Sequence, residues 1–170
     1  MHPDRFHYSA ENCSIRRTLD IIGERWSLLV LREAFYGLRR FDDFVRVLHC
    51  PRDVLSARLR TLVNEGIMVP RPYREEGSRS RNEYRLTAKG RDLFPTLLAL
   101  MQWGDRWAAD SDGPPVEVRH RRCGEPIEVE LRCAAGHGPL TAHDARVTPG
   151  PGALPTTNPP APTTPADDSE

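Results

Sequence analysis

The residues best suited to chemistry are Arg52, Asp53, Ser56, Ala57, Arg58 and Arg60, grouped in one short stretch. What they offer is recognition and not bond making. Guanidinium groups donate to phosphates and base edges, a hydroxyl serves either, and an alanine permits close approach. A helix lying in the major groove of double-stranded DNA needs that mixture. Arg79 and Arg81 form a second basic group further along, of the kind that enters a minor groove or holds a backbone. A lone arginine is ordinarily a solvated charge, so the expectation rests on the group.

Sulfur and imidazole groups offer less. Cys13 stands just before a helical pattern, where a thiol has a lowered pKa, helped by Arg16 and Arg17 one turn on. The plainer role for a free cysteine is inert packing. Cys123, Cys133 and His137, with His120 and His143 nearby, resemble a zinc ribbon in their Cys-x3-His spacing. A full knuckle needs a Cys-x2-Cys pair, and position 136 is glycine. The site reads as degenerate, a hairpin without metal, with zinc as the alternative; no other cofactor is expected. The six histidines lack the serine or aspartate pattern of a triad, and no glycine-rich phosphate loop occurs. An enzyme is not expected.

The elements that must position the arginines are legible from periodicity. Pro51 to Gly66 reads as one amphipathic helix, with Leu55, Leu59, Leu62 and Val63 on one face. Pro51 suits its first turn, and Gly66 suits a left-handed stop. Phe41 to Leu48 reads as a shorter helix with Phe41, Phe44, Val45 and Leu48 inward. Only His49, Cys50 and Pro51 separate the two, which is helix-turn-helix spacing. Two extended runs follow, Ile67 to Tyr73 and Glu83 to Leu86, around a Gly/Ser/Arg tip from Glu76 to Arg81. Helix, turn, helix and basic-tipped hairpin is the order of a winged helix, mainly α within the α+β class.

Upstream, Cys13 to Ile22 and Glu24 to Tyr36 read as two helices, the second apolar enough to be central, with Gly37 as its stop. Downstream, Thr87 caps a long helix towards Ala109, and Pro95 should kink it or delay its regular start. Leu100, Trp103 and Trp107 exceed what a small domain needs to cover itself. Such a stripe meets a partner, here the same helix of a second copy in a homodimer. The chain therefore divides into a flexible segment 1–11, a winged domain 12–110, a weakly alternating hairpin-like extension 111–148 and a proline-rich tail 149–170. The tail holds one aliphatic worth burying, Leu154, and is expected to be disordered and dispensable.

Net charge over the 170 residues is zero, but thirteen basic and seven acidic side chains lie between Arg39 and Arg91. That local excess of +6 is an electrostatic footprint for DNA. No apolar run approaches the roughly 20 residues of a membrane span. Met1 to Arg5 leads into no apolar leader core. Four scattered cysteines suit a cytoplasmic protein better than a disulfide framework.

These landmarks together are similar to the HxlR-type winged helix-turn-helix regulators of bacteria. They are Cys13, Leu19 to Gly23, Arg25-Trp26, Leu28 to Arg32, Arg39 to Phe41, Val54 to Leu59, Leu62, Gly66, Tyr84, Leu86-Thr87 and Lys89-Gly90. The resemblance covers residues 12 to about 108. It implies a homodimeric transcription factor, a repressor or activator of nearby genes, joined through its first and last helices. It also implies that Cys13 can sense oxidants or electrophiles, because some such regulators use a cysteine there. One departure is Cys50, where the family commonly has a serine as N-cap. A winged helix can instead be a protein-binding adaptor; the arginines at the wing tip argue against that reading.

Overall fold

Residues 7–74 and 80–156 are described by the computed structural model. The helices run α1 (Ser14–Ile22), α2 (Arg25–Phe35), α3 (Phe41–Leu48), α4 (Arg52–Asn64), α5 (Ala88–Arg91) and α6 (Phe94–Trp107). Between α4 and α5 lie strands β1 (Met68–Tyr73) and β2 (Arg81–Leu86). They pair antiparallel, from Met68 opposite Leu86 to Tyr73 opposite Arg81. Pro70 and Pro72 sit in β1, which has no second neighbour among the described residues, so their missing N–H groups cost no ladder bond on the open side. Beyond β2 the Arg39–Arg40 segment joins the sheet through an Arg40–Glu83 bridge and a Tyr84 N–H to Arg39 O bond of 2.7 Å. Two residues carry no strand periodicity, and the sequence reading missed this third edge.

The core lies where α2, α3 and α4 meet. Val30, Leu31, Phe44, Leu55, Leu59 and Leu62 are fully buried there, with Ile67 and Met68 beneath the sheet. The inward faces expected for α3 and α4 are the observed ones.

The junction after β2 differs from the expected single helix. The Thr87 hydroxyl accepts from Gly90 N–H at 3.1 Å and donates to Gly66 O at 2.7 Å. It caps the one-turn α5, and α6 begins only at Phe94, with Pro95 in its first turn. The proline thus delays the helix. Lys89 Nζ donates to Glu65 O at 2.6 Å, satisfying a carbonyl at the end of α4. Gly66, at φ +67°, takes the left-handed stop. At Gly90 a Cβ would stand 2.2 Å from Ile67 O, so only glycine fits. The C-terminus of α4 is thereby tied to the segment that launches α6.

Residues 116–148 form turns and not a ladder. One bridge, Arg119–Pro126, and bonds such as Leu140 N–H to Leu131 O at 2.9 Å hold two loops. The Gln102 amide pins this extension to α6, donating to Ile127 O at 2.7 Å and accepting from Val129 N–H at 3.0 Å. The weak alternation lacked partners to pair with, so hairpin-like turns formed without strands.

Residues 149–156 carry backbone bonds to the N-terminal segment. Ser9 N–H donates to Leu154 O and Thr156 N–H to His7 O, both at 2.8 Å, and Tyr8 bridges Pro155. Prolines block helix and interior ladder, but the bonds here belong to the flanking Leu154 carbonyl and Thr156 N–H, so Pro155 needs no N–H of its own. Residues 157–170 lie outside the described part. A chain ending at 156 should melt with the full chain. One ending at 148 should melt a few degrees lower, since each lost bond is worth about 0.5–1.5 kcal/mol. Equal melting temperatures for all three chains in a thermal scan would show that the N-terminal pairing adds nothing.

Candidate nucleic-acid interface

Three apolar anchors set the pose of α4. Leu55, Leu59 and Leu62 point into the core, which leaves Asp53, Ala57, Arg60 and Asn64 on the opposite side by helical phase. Arg52, Asp53 and Arg60 are exposed, while Ser56, Ala57 and Arg58 are half-buried. Arg58 falls on the flank away from Arg52, so the six candidates spread over a helix surface and do not converge on a point.

The turn before α4 is built by His49, which takes a left-handed conformation (φ +50°) and donates its N–H to Val45 O at 3.0 Å. Cys50 does not cap α4. The N-cap is Pro51, which makes no side-chain cap bond. Cys50 is instead 3 % exposed in the core. Burial pushes its thiol pKa up, with Asp53 adding to the shift. A buried thiol of raised pKa is a packing residue, so the position traded a cap for core contact. The exposed helix N-terminus keeps its amide donors and positive dipole end for an anion such as a phosphate.

The structure brings Arg52 and Arg81 together. Asp42, in the first turn of α3, accepts from Arg52 Nη2 at 2.9 Å with one carboxylate oxygen and from Arg81 Nη1 at 3.1 Å with the other. The Arg52 guanidinium also stacks on the Phe41 ring, 4.9 Å from its centroid. Across the sheet, Arg40 stacks on Tyr73 at 4.6 Å. Between the start of α4 and the wing is a polar cleft of about 440 Å³, lined by Phe41, Asp42, Arg52, Tyr73, Arg81, Asn82 and Tyr84. Arg79, the other expected wing contact, lies outside the described residues. The sequence reading singled out Arg52 and Arg81 and passed over Asp42, which pairs with both. Asp42 precedes Arg81 by 39 positions, and no local spacing signals such a pair.

The remaining candidates lie elsewhere. Leu100, Trp103 and Trp107 stand exposed on α6, and Ile15 and Leu19 on α1. Cys13 is the N-cap residue of α1 and is half-buried. Cys123 Sγ lies 3.0 Å from His120 Nδ1, and Cys133 Sγ lies 3.3 Å from His137 Nδ1. These are two separate pairs; among the described residues no group of three or more ligand-type side chains could hold a metal. No described helix is long and apolar enough to cross a membrane.

A family model described as HxlR-like helix-turn-helix matches residues 21–112. The chain belongs to this family. It is a DNA-binding transcriptional regulator of the helix-turn-helix type and not an enzyme. An uncharacterised HTH-type transcriptional regulator of Mycobacterium bovis is 46 % identical over 142 residues, spanning 84 % of this chain and 89 % of the relative. That match runs well past residue 112, so the relative shares part of the extension. The crystal structure of PA1607, described as a candidate transcription factor, is similar with 43 % identity and a TM-score of 0.72, covering 81 % of this chain and 95 % of that one. The redox regulator HypR in its oxidised form is similar with 30 % identity and a TM-score of 0.53, over 58 % of this chain and 100 % of that one. Family membership confirms the winged helix-turn-helix reading. It also decides between regulator and adaptor in favour of the regulator.

Proposed function

We propose that the protein acts in the cytoplasm as a homodimer on a two-fold operator, repressing or activating transcription. The observation that carries this reading is the placement of Arg52 at the exposed start of α4, alongside the wing residue Arg81. Residues near the start of a recognition helix reach base edges, and wing arginines hold the backbone. In this reading Arg52, Asp53, Ser56 and Ala57 read bases, Arg58 and Arg60 approach phosphates, and Arg79 and Arg81 serve the wing. The exposed apolar residues of α1 and α6 supply the seam. Two-fold symmetry doubles the contact and adds half-site spacing as a second criterion.

Cys13 is the effector site of this proposal. It sits half-buried at the start of α1, one of the two seam helices, so oxidation or alkylation there would disturb the dimer. Similarity to a protein solved as a redox regulator supports the assignment.

A gel shift on the promoter of the protein's own gene tests the whole reading. The complex should weaken with salt, and Arg79→Ala and Arg81→Ala should each lower the salt slope by about one while weakening all sequences alike. Arg52→Ala or Ser56→Ala should instead alter sequence preference, by about 1–3 kcal/mol at the affected base pair. Diamide should release the wild-type protein and not Cys13→Ser. The absence of any salt-dependent complex would count strongly against the proposal.

A further inference from the structure

We propose that Asp42, which pairs with both Arg52 and Arg81, determines DNA specificity by holding Arg52 in its base-reading orientation and withholding it from non-cognate phosphates. The inference rests on the proposed roles of Arg52 and Arg81 in DNA contact. Its basis is one carboxylate shared between two elements. Asp42 Oδ1 accepts from Arg52 at 2.9 Å and Oδ2 accepts from Arg81 at 3.1 Å, so both oxygens are engaged. Asp42 lies on α3, Arg52 on α4 and Arg81 on β2; the contact links helix, recognition helix and wing.

The Arg52 guanidinium is constrained on two sides. Nη2 bonds to Asp42, and Cζ lies over the Phe41 ring, 4.9 Å from its centroid. A guanidinium held in plane by a carboxylate and a ring presents its remaining N–H edge in a fixed direction. Bidentate reading of a guanine requires that pre-orientation, because a freely rotating arginine loses side-chain entropy on docking. In an operator complex the Asp42–Arg52 bond can persist behind the base contact.

A non-cognate duplex offers no matching base edge. Attraction then comes from phosphates alone, and Arg52 and Arg81 can reach them only by leaving Asp42. The carboxylate would then face the phosphodiester backbone without its cations. Exposed ion pairs are individually weak. Arg81 meets the backbone in either complex, but only the non-cognate one also draws Arg52 away and leaves the carboxylate with neither cation, and that loss falls on the non-cognate complex alone. Asp42 therefore acts against wrong sequences more than for the right one.

The control is in the next residue. Among the described residues Asp43 forms its ion pair within α3, with Arg46 at 2.9 Å, and none with Arg52 or Arg81. Asp42→Asn and Asp43→Asn remove the same charge one position apart. Asp42 is exposed, so its replacement leaves the core intact.

The experiment measures affinity by fluorescence anisotropy for two probes. One is the operator selected by the wild-type full chain from a random duplex pool, and the other is a scrambled duplex of equal composition. Asp42→Asn should raise affinity for the scrambled duplex about two- to five-fold and steepen its salt slope by about one. Operator affinity should stay level or fall, so that the ratio of the two drops about two-fold or more. Asp43→Asn should leave the ratio unchanged. In an Arg52→Ala/Arg81→Ala background, Asp42→Asn should no longer change it. An unchanged ratio in Asp42→Asn overturns the proposal, as does an equal drop in Asp43→Asn, which would make the effect one of general charge. A wild-type protein that selects no operator from the pool would overturn the underlying DNA-contact reading as well, which separates the two failures.

Discussion

Trp107→Glu should convert the protein to a folded monomer and lower operator affinity by two or more orders of magnitude. Trp107 and Trp103 are 70 % and 65 % exposed on α6, and Leu100 between turns is 53 % exposed. Ile15 and Leu19 add a second apolar surface on α1. Single exposed apolar residues are ordinary, but the sets on α1 and α6 fit the seam of the proposed homodimer. A glutamate in that seam would be buried without a partner, at about 3–5 kcal/mol, which is enough to dissociate a micromolar dimer. The monomer would hold only one half-site and lose the roughly 10²–10⁴-fold gain from linking two. Its fold should survive, because Trp107 contributes little to the core of its own chain. Sedimentation and operator titration check the two parts. A wild-type monomer at micromolar concentration would remove the idea.

Phe44→Ala should cost about 3–5 kcal/mol and lower the melting temperature by roughly 10–20 °C. Phe44 is fully buried and is the largest such side chain in the core. It anchors α3 against α2 and α4, so its removal leaves a cavity at the joint that sets the angle of the helix pair. Against a typical total stability of about 5–15 kcal/mol, the loss is a large fraction. Val47 offers the comparison: it lies on the same helix but is 48 % exposed, and Val47→Ala should stay within about 0.5 kcal/mol. Thermal melts by circular dichroism decide the matter. A Phe44→Ala protein melting within two or three degrees of wild type, on the order of the Val47→Ala change, would mean that the core tolerates the cavity by collapse.

Much of the fold was legible in the sequence because its signals are local. The leucine spacing in Leu55, Leu59 and Leu62 defines a helix face wherever the chain folds, and Gly66 marks its stop. The Phe41–Leu48 helix, the short turn, and the proline that delays α6 follow from rules that act within a few residues. What the tertiary structure alone decided depends on groups far apart in the chain. Cys50 occupies the position of a cap but is drawn into the core, where burial outweighs capping. Residues 149–156 look too poor in apolar side chains to fold, yet backbone pairing with residues 7–9 orders them, and composition is blind to backbone hydrogen bonds. Gln102 is an unremarkable glutamine until the extension supplies a carbonyl and an amide for it. Asp42 belongs to the local acidic start of α3 in the sequence. Only the packing of α3 against α4 and β2 sets it between Arg52 and Arg81, because charge pairing across elements requires a distance that no linear spacing encodes.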